Sequence, residues 1–255
     1  MFVERLILHD LIQWKSKKNR KPLIIRGVRQ TGKTYILKEF GEHYFQACHY
    51  INFENNPAAA KLFTEDFNPK RILTDLSFLL KTPIEETKDL LIFDEIQACP
   101  SALTSLKYFS EQLPELAICC AGSLLGLHLG ETSFPVGKVD FFNMRPMCFI
   151  EFLSAVGDQK SLDLLAQCRQ DSSISEIVHH HLWEQFKYYL ITGGLPEVVQ
   201  TYLDNQDNLY TAFTLVREKQ NELIYGYYAD IAKHSGKVNV SDPRTPWLSI
   251  YDFGV

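Results

Sequence analysis

Leu23-Ile-Ile-Arg-Gly27-Val-Arg-Gln-Thr-Gly32-Lys33-Thr34-Tyr35 sets the reading of the whole chain. Pro22 opens a short apolar run, Leu23–Ile25, which ends at Gly27 and reads as a buried strand. Helical spacing resumes at Lys33 and continues to Phe45. Between them, Gly27-Val28-Arg29-Gln30-Thr31-Gly32-Lys33-Thr34 satisfies Gly-x-x-x-x-Gly-Lys-[Ser/Thr] in full. At ordinary residue frequencies such a match arises in about one chain in a hundred of this length. A strand before it and a helix after it narrow the reading further. The glycines let the backbone turn tightly enough for successive N–H groups to face phosphate oxygens, and the following helix adds its positive end. In that setting Lys33 reaches the β- and γ-phosphates of a nucleotide, and the Thr34 hydroxyl ligates Mg²⁺. The nucleotide-contacting set expected here runs from Gly27 through Tyr35.

A metal–nucleotide site also needs a carboxylate at the end of a neighbouring buried strand. Leu90-Leu-Ile-Phe-Asp94-Glu95 supplies two. Asp94 is expected to hold the metal, directly or through its water shell. Glu95, one residue on, is placed to polarise an attacking water as general base. The plainer alternative is that the pair only caps a helix at Ile96–Ser101. A third element is Ala121-Gly122-Ser123, at the end of another apolar run. Ligands of open parallel sheets bind beyond the carboxyl ends of the strands. A hydroxyl there senses the γ-phosphate or holds the water, or else it caps a helix over Leu124–Leu129.

Further along the chain, His49–Phe53, Asp89–Asp94, Leu116–Ala121 and Val139–Phe142 read as the second to fifth strands. Phe2–Trp14, Ala58–Phe63, Lys70–Leu80 and Ser101–Gln112 have helical spacing. Strands alternating with helices imply an α/β fold: a mostly parallel five-stranded sheet covered by helices. After about Ile150 only helical patterns follow, over Phe149–Ala155, Ser161–Gln170, Ser175–Leu190, Glu197–Leu203 and Leu209–Ile231. The expected organisation is a nucleotide core over 1–150, a smaller helical region over 151–234 and an irregular tail over 235–255.

Composition restricts the partners. The 255 residues are 45% hydrophobic and 22% charged, as a packed globular chain requires, and the formal net charge is −5. That total argues against a surface that grips nucleic acid all over. The run Lys15-Ser-Lys-Lys-Asn-Arg-Lys21 holds five cations and permits a local contact, although a solvated turn is the commoner use. Six cysteines without a Cys-x-x-Cys spacing fit a reduced cytoplasmic setting. No stretch approaches the 18 apolar residues of a membrane span, so no membrane partner is expected. His179-His180-His181 cannot converge on one metal, because adjacent helical positions point about 100° apart. Tyr225-Gly-Tyr-Tyr228 reads as a packing face more readily than as a stacking platform for nucleic acid.

Taken together, Leu23–Thr34, Ile92-Phe-Asp-Glu-Ile-Gln97 and Cys120-Ala-Gly-Ser-Leu-Leu125 resemble prokaryotic AAA-type (AAA+ superfamily) P-loop ATPases. The resemblance is to the group that carries an uncharacterised C-terminal domain behind the ATPase core. Phe134–Lys138, Arg145-Pro-Met-Cys-Phe-Ile-Glu-Phe-Leu153 and Gly193-Gly-Leu-Pro196-Glu-Val-Val199 match further segments of that group, which extends the similarity to about His234. It implies a P-loop NTPase fold, ATP and Mg²⁺ as ligands, Glu95 as the catalytic glutamate and Ser123 at the polar sensor position. It also implies that Gly194-Leu195-Pro196 lies close to the nucleotide, so that a helical lid reports which nucleotide is bound.

An arginine finger is sought among Arg29, Lys138 and Arg145. Lysine lacks the planar fork, and Arg145 is the choice. A finger acting in trans implies a homo-oligomer; a protein or nucleic-acid partner is left unidentified. Relatives continue with a further domain where Ser241–Val255 departs from their pattern, so the chain reads as a shortened member. The function expected is ATP hydrolysis coupled to lid movement. The alternatives are a nucleotide-binding switch with little turnover and, less in keeping with Asp94-Glu95, a P-loop kinase.

Overall fold

The computed structural model describes residues 5–123, 137–168 and 173–235, with side chains for 5–122, 137–168 and 173–229. In chain order the elements are α1 (Ile7–Lys15), β1 (Leu23–Gly27), α2 (Lys33–Tyr44), β2 (Cys48–Asn52), α3 (Pro57–Lys61), α4 (Pro69–Leu80), β3 (Leu90–Asp94), α5 (Pro100–Gln112), β4 (Ala117–Ser123) and β5 (Asp140–Asn143). There follow α6 (Phe149–Ala155), α7 (Gln159–Gln167), α8 (Glu176–Thr192), α9 (Pro196–Asp204) and α10 (Leu209–Ser235). The expected cap at Leu124–Leu129 and the tail beyond Ser235 lie outside the described residues.

The five strands pair in the order β2-β3-β4-β1-β5, all parallel. The chain leaves β1 for the far β2 edge and works back through β3 and β4. It then passes over β1 to β5. Because strand side chains alternate, each strand feeds two cores. Leu23, Ile25, Leu90, Ile92 and Cys119 join Trp14, Ile36, Leu37 and Phe40 from α1 and α2. Ile24, Leu91, Phe93, Ile118 and Cys120 join Ile72 and Leu76 of α4 and Leu106 and Phe109 of α5. Burial on both faces is why these strands are continuous apolar runs rather than alternating ones. The change of helical layer accompanies the change of direction, as right-handed crossovers require.

Local chemistry sets the element ends. Asn68 caps α4 by accepting from the N–H groups of Lys70 and Arg71, with Pro69 at the first helical position. Asn56 and Pro57 repeat the device at α3. The segment after Asp94 is a single 3-10 turn over Ile96–Ala98, and Pro100 then starts α5. No helix therefore spans Ile96–Ser101 as one piece. α7 starts at Gln159, two residues before the expected start, because Asp158 accepts from the Ser161 N–H. All six cysteine thiols are free. Burial holds those of Cys119 and Cys120 well above the usual thiol range.

The chain divides into two compact units, Met1–Val199 and Gln200–Val255. The first contains the sheet and every residue of the candidate site. In the second, Tyr202 stacks on Phe213 with ring centroids 5.8 Å apart. No helix among the described residues is long and apolar enough to cross a membrane.

Gly27 marks where the fold tolerates least. A Cβ there would stand 2.2 Å from the Met144 carbonyl oxygen, part of the backbone that follows β5. Gly27→Ala is expected to cost about 2–3 kcal/mol or more, lowering the thermal midpoint by roughly 4–12 °C. Gly226, inside α10, has open space where a Cβ would stand, with nothing within 4 Å. Gly226→Ala should stabilise by about 0.5–1 kcal/mol. Thermal unfolding followed by circular dichroism checks both signs.

Candidate active site

The loop between β1 and α2 is built from backbone conformations that few residues adopt. Gln30 has φ +63° and Gly32 φ +91°, both in the left-handed region. Thr31 between them is fully buried, and its hydroxyl donates to the Val28 carbonyl at 3.0 Å. α2 begins at Lys33 with no side-chain cap and no acidic residue in its first turn. Its leading N–H groups and the positive end of its dipole therefore face the loop, a ready site for an anion.

Lys33 is buried, and its ammonium donates to the carbonyls of Gly27 at 3.0 Å and Val28 at 2.8 Å. Desolvation lowers its pKa, partly opposed by the charges of Glu95 and Asp94 and reinforced by that of Arg29. Two of its three N–H bonds thus hold the loop to itself. Val28 and Tyr35 are exposed beside it.

Asp94, at the end of β3, is buried with both carboxylate oxygens engaged. Oδ2 accepts from the Thr34 hydroxyl at 3.0 Å and from the Tyr50 hydroxyl at 2.6 Å. Oδ1 accepts from the Glu95 N–H at 3.1 Å. Tyr50 comes from β2, and the Lys38 ammonium lies 3.8 Å from its ring centroid. Burial, then the bond to Asp94, push the Tyr50 phenol up to about 12, so it remains a donor near neutrality. A hydroxyl and a carboxylate converging beside a lysine form a hard-oxygen donor set. That set suits Mg²⁺, which takes few protein ligands and keeps several waters.

Glu95 itself is left-handed, with φ +50° and ψ +45°. This turns the chain out of the strand. Its Oε2 accepts a hydrogen bond from the Gln97 amide, while Gln97 Oε1 is buried without a partner among the described residues. Ser123 stands in register with Gly27 across the β1–β4 ladder, which puts its backbone at the root of the loop; its side chain lies outside those described. Pro196 Cγ is 3.7 Å from the position a Cβ on Gly32 would take. The turn before it is fixed to the chain after β5. Gly194 accepts from the Met147 N–H at 2.6 Å, Tyr189 donates to the Met147 carbonyl at 3.0 Å, and a Cβ on Gly194 would sit 2.1 Å from that carbonyl oxygen.

The three finger candidates separate by position. Lys138 pairs with Glu111 at 3.0 Å. Arg29 is half-buried within the loop. Arg145 is exposed, and among the described residues its guanidinium has no hydrogen bond or ion pair. Of the basic run, Lys17 pairs with Asp140, while Arg20 donates to the Lys15 and Glu115 carbonyls and stacks on Trp14. The run lies at the opposite end of β1 from the loop, where it serves the packing of α1. His181 bonds Asp158 at 2.7 Å. No group of three or more His, Cys, Asp and Glu side chains able to hold a metal occurs among the described residues.

Four residues of the site escape sequence reasoning: Tyr50, Gln97, Arg5 and Glu151. Arg5 donates to Glu151, to the Thr31 carbonyl and to the Arg145 carbonyl. Only Glu151 carries a local signal, the Cys148-x-x-Glu151 spacing of a helix start, at which Glu151 Oε2 accepts from the Cys148 N–H.

One known structure shares this architecture, and others resemble it less. A Walker-type ATPase of Pyrococcus abyssi superposes with a TM-score of 0.55 at 17% identity, covering 92% of this chain and 77% of the other. PCH-2 of C. elegans gives 0.47 at 14% identity, covering 85% and 68%. AMPPCP-bound DnaA of Aquifex aeolicus gives 0.43 at 13%, covering 78% and 58%. The first of these supports the fold of a P-loop ATPase and nothing finer. Among curated proteins none matches the sequence. A family model described as an AAA domain matches residues 19–153, more than half of the chain and all of the loop, β3 and β4. The chain belongs to the AAA domain family of P-loop ATPases.

Proposed function

We propose that this chain binds Mg·ATP on the loop Gly27–Thr34 and hydrolyses it. The single observation that carries the reading is the 3.0 Å bond between the Thr34 hydroxyl and Asp94. It brings the loop residue and the strand-end carboxylate together beside the Lys33 ammonium, whose charge interacts with both Asp94 and Glu95.

In this reading the loop N–H groups and Lys33 hold the β- and γ-phosphates, Val28 and Tyr35 flank the nucleotide, and Thr34 and Asp94 hold Mg²⁺. The ion supplies neutralising charge at the phosphate oxygens. Glu95 accepts a proton from a water whose oxygen attacks the γ-phosphorus. The bond from that phosphorus to the β-phosphate bridging oxygen breaks, and ADP leaves with the electron pair. Ser123 takes the polar sensor position. The Arg145 guanidinium, exposed and with no hydrogen bond or ion pair among the described residues, is presented to the site of a second copy in a homo-oligomer. Gly194–Pro196, packed at Gly32, passes the nucleotide state to the helical region 151–234.

One observation favours a second reading, a switch that turns over slowly. The Gln97 amide donates to one oxygen of the Glu95 carboxylate, Oε2, and so holds the side chain that would have to turn toward water.

Single-turnover ATP hydrolysis separates the two. Glu95→Gln should keep ATP affinity within a few-fold and lower phosphate release by about 10²–10⁴; turnover unchanged by this substitution removes Glu95 from the chemistry. Lys33→Ala should abolish ATP binding at micromolar nucleotide, and tight binding that survives it would place the nucleotide elsewhere.

Tyr50 provides an independent check on the metal position. Tyr50→Phe keeps the ring under Lys38 but removes one of the donors that orient Asp94. The Mg²⁺ concentration for half-maximal hydrolysis should rise by about tenfold, measured at saturating ATP. An unchanged Mg²⁺ requirement would exclude Asp94 Oδ2 from the metal site.

A further inference from the structure

We infer that Arg5 is the positioning residue of the phosphate loop, holding one peptide of the loop from outside so that its N–H faces the nucleotide. The inference rests on the nucleotide site proposed above and adds a residue that no motif assigns.

Arg5 precedes α1 and is buried, 5% exposed. Each arm of its guanidinium has a separate acceptor: Nε donates to Glu151 Oε1 at 2.9 Å, Nη1 to the Thr31 carbonyl at 2.8 Å and Nη2 to the Arg145 carbonyl at 2.7 Å. Glu151, equally buried, neutralises the charge, and its two oxygens also accept from the N–H groups of Leu6 and Cys148. The pair therefore adds little net field at the loop. Its effect is geometric.

That geometry bears on one peptide plane. The peptides among the described residues are all trans, and in a trans peptide C=O and N–H point in opposite directions. Fixing the Thr31 carbonyl on Arg5 therefore aims the Gly32 N–H away from Arg5, toward the inner side of the loop. Gly32, at φ +91°, is the residue there with the most backbone freedom. Thr31 is already pinned by its hydroxyl, so Arg5 removes the rotation that remains. The same guanidinium fixes the backbone of Arg145 and the start of α6. Loop shape, finger position and helix start thus hang on one planar group. Lysine, a point donor, can keep Glu151 but cannot span all three acceptors.

The test uses the full chain, a fluorescent ADP analogue and steady-state ATP hydrolysis. Arg5→Lys should weaken ADP binding and raise KM for ATP by about tenfold. Asp89→Asn is the stability control, since it disturbs the buried His49–Asp89 bond of 3.0 Å at the opposite end of the strands; it should lower the thermal midpoint and leave KM alone. Wild-type binding and KM in Arg5→Lys overturn the inference, as does an equal loss in Asp89→Asn, which would mark the effect as one of stability.

Hydrogen exchange on the unaltered chain decides the matter if Arg5→Lys does not fold. ADP should then protect the amides of Leu6 and Cys148, which have no phosphate to contact, together with those of the loop. Protection confined to residues 27–35 overturns the inference. If the unaltered chain binds no ADP, the nucleotide reading falls and the inference falls with it. Normal binding by both the unaltered chain and Arg5→Lys overturns the inference alone.

Discussion

A carboxylate buried between apolar strands needs donors around it, and Asp94 meets that requirement with three groups. Thr34 reaches it from the first turn of α2, Tyr50 from β2, and the Glu95 N–H from its own chain. The Tyr50 donor depends on the sheet register. Asn52 stands opposite Asp94 in the β2–β3 ladder, and Gly27 opposite Ser123 in the β1–β4 ladder. A slip of one residue would turn Tyr50 to the other face and leave the charge short of a partner. The Asp94 carboxylate therefore ties α2 and β2 to the carboxyl edge of the sheet.

The buried polar pairs are divided between the ends of the sheet. Arg5 and Glu151 stand at the loop, while His49 and Asp89 stand where β2 and β3 begin, with the Glu85 N–H also donating to Asp89. Breaking either pair would strand a buried group, so both restrict the packing of neighbouring elements. The functional difference lies in what else each pair touches. His49 and Asp89 tie strand starts to one another. Arg5 and Glu151 tie the loop to the chain after β5 and to α6, and that segment in turn receives Gly194 and Tyr189.

Much of the architecture is legible in the sequence because its signals are local. Gly27–Thr34 is contiguous, and Leu23–Ile25, Leu90–Phe93 and Ala117–Ala121 are unbroken apolar runs because helices cover both sheet faces. Pro57, Pro69 and Pro100 each sit at a helix start. The site is legible only where its chemistry is likewise contiguous. Asp94 and Glu95 follow an apolar run, but the left-handed turn at Glu95 and its engagement by Gln97 belong to the folded backbone. Tyr50 is one aromatic on a strand, and nothing local distinguishes it from a core residue. Arg5 meets Glu151 across a separation of 146 residues, and Arg145 enters that contact through its carbonyl, which residue type does not encode. α7 shows the same limit at its start, which Asp158 sets through a single capping bond.

These contacts restrain the loop from two sides. From inside, Lys33 donates to the Gly27 and Val28 carbonyls; from outside, Arg5 donates to that of Thr31. The Thr31 carbonyl, held from outside, turns the Gly32 N–H of the same peptide inward, which is the arrangement an incoming phosphate requires. The cost of ordering such a loop is then met largely on folding rather than on binding. Lys33 bears a further consequence of burial. Desolvation lowers its pKa, and a phosphate brought within reach would oppose that shift. Anion binding and lysine protonation should therefore reinforce one another, and the Gly27 and Val28 carbonyls compete with the ligand for the same three N–H bonds.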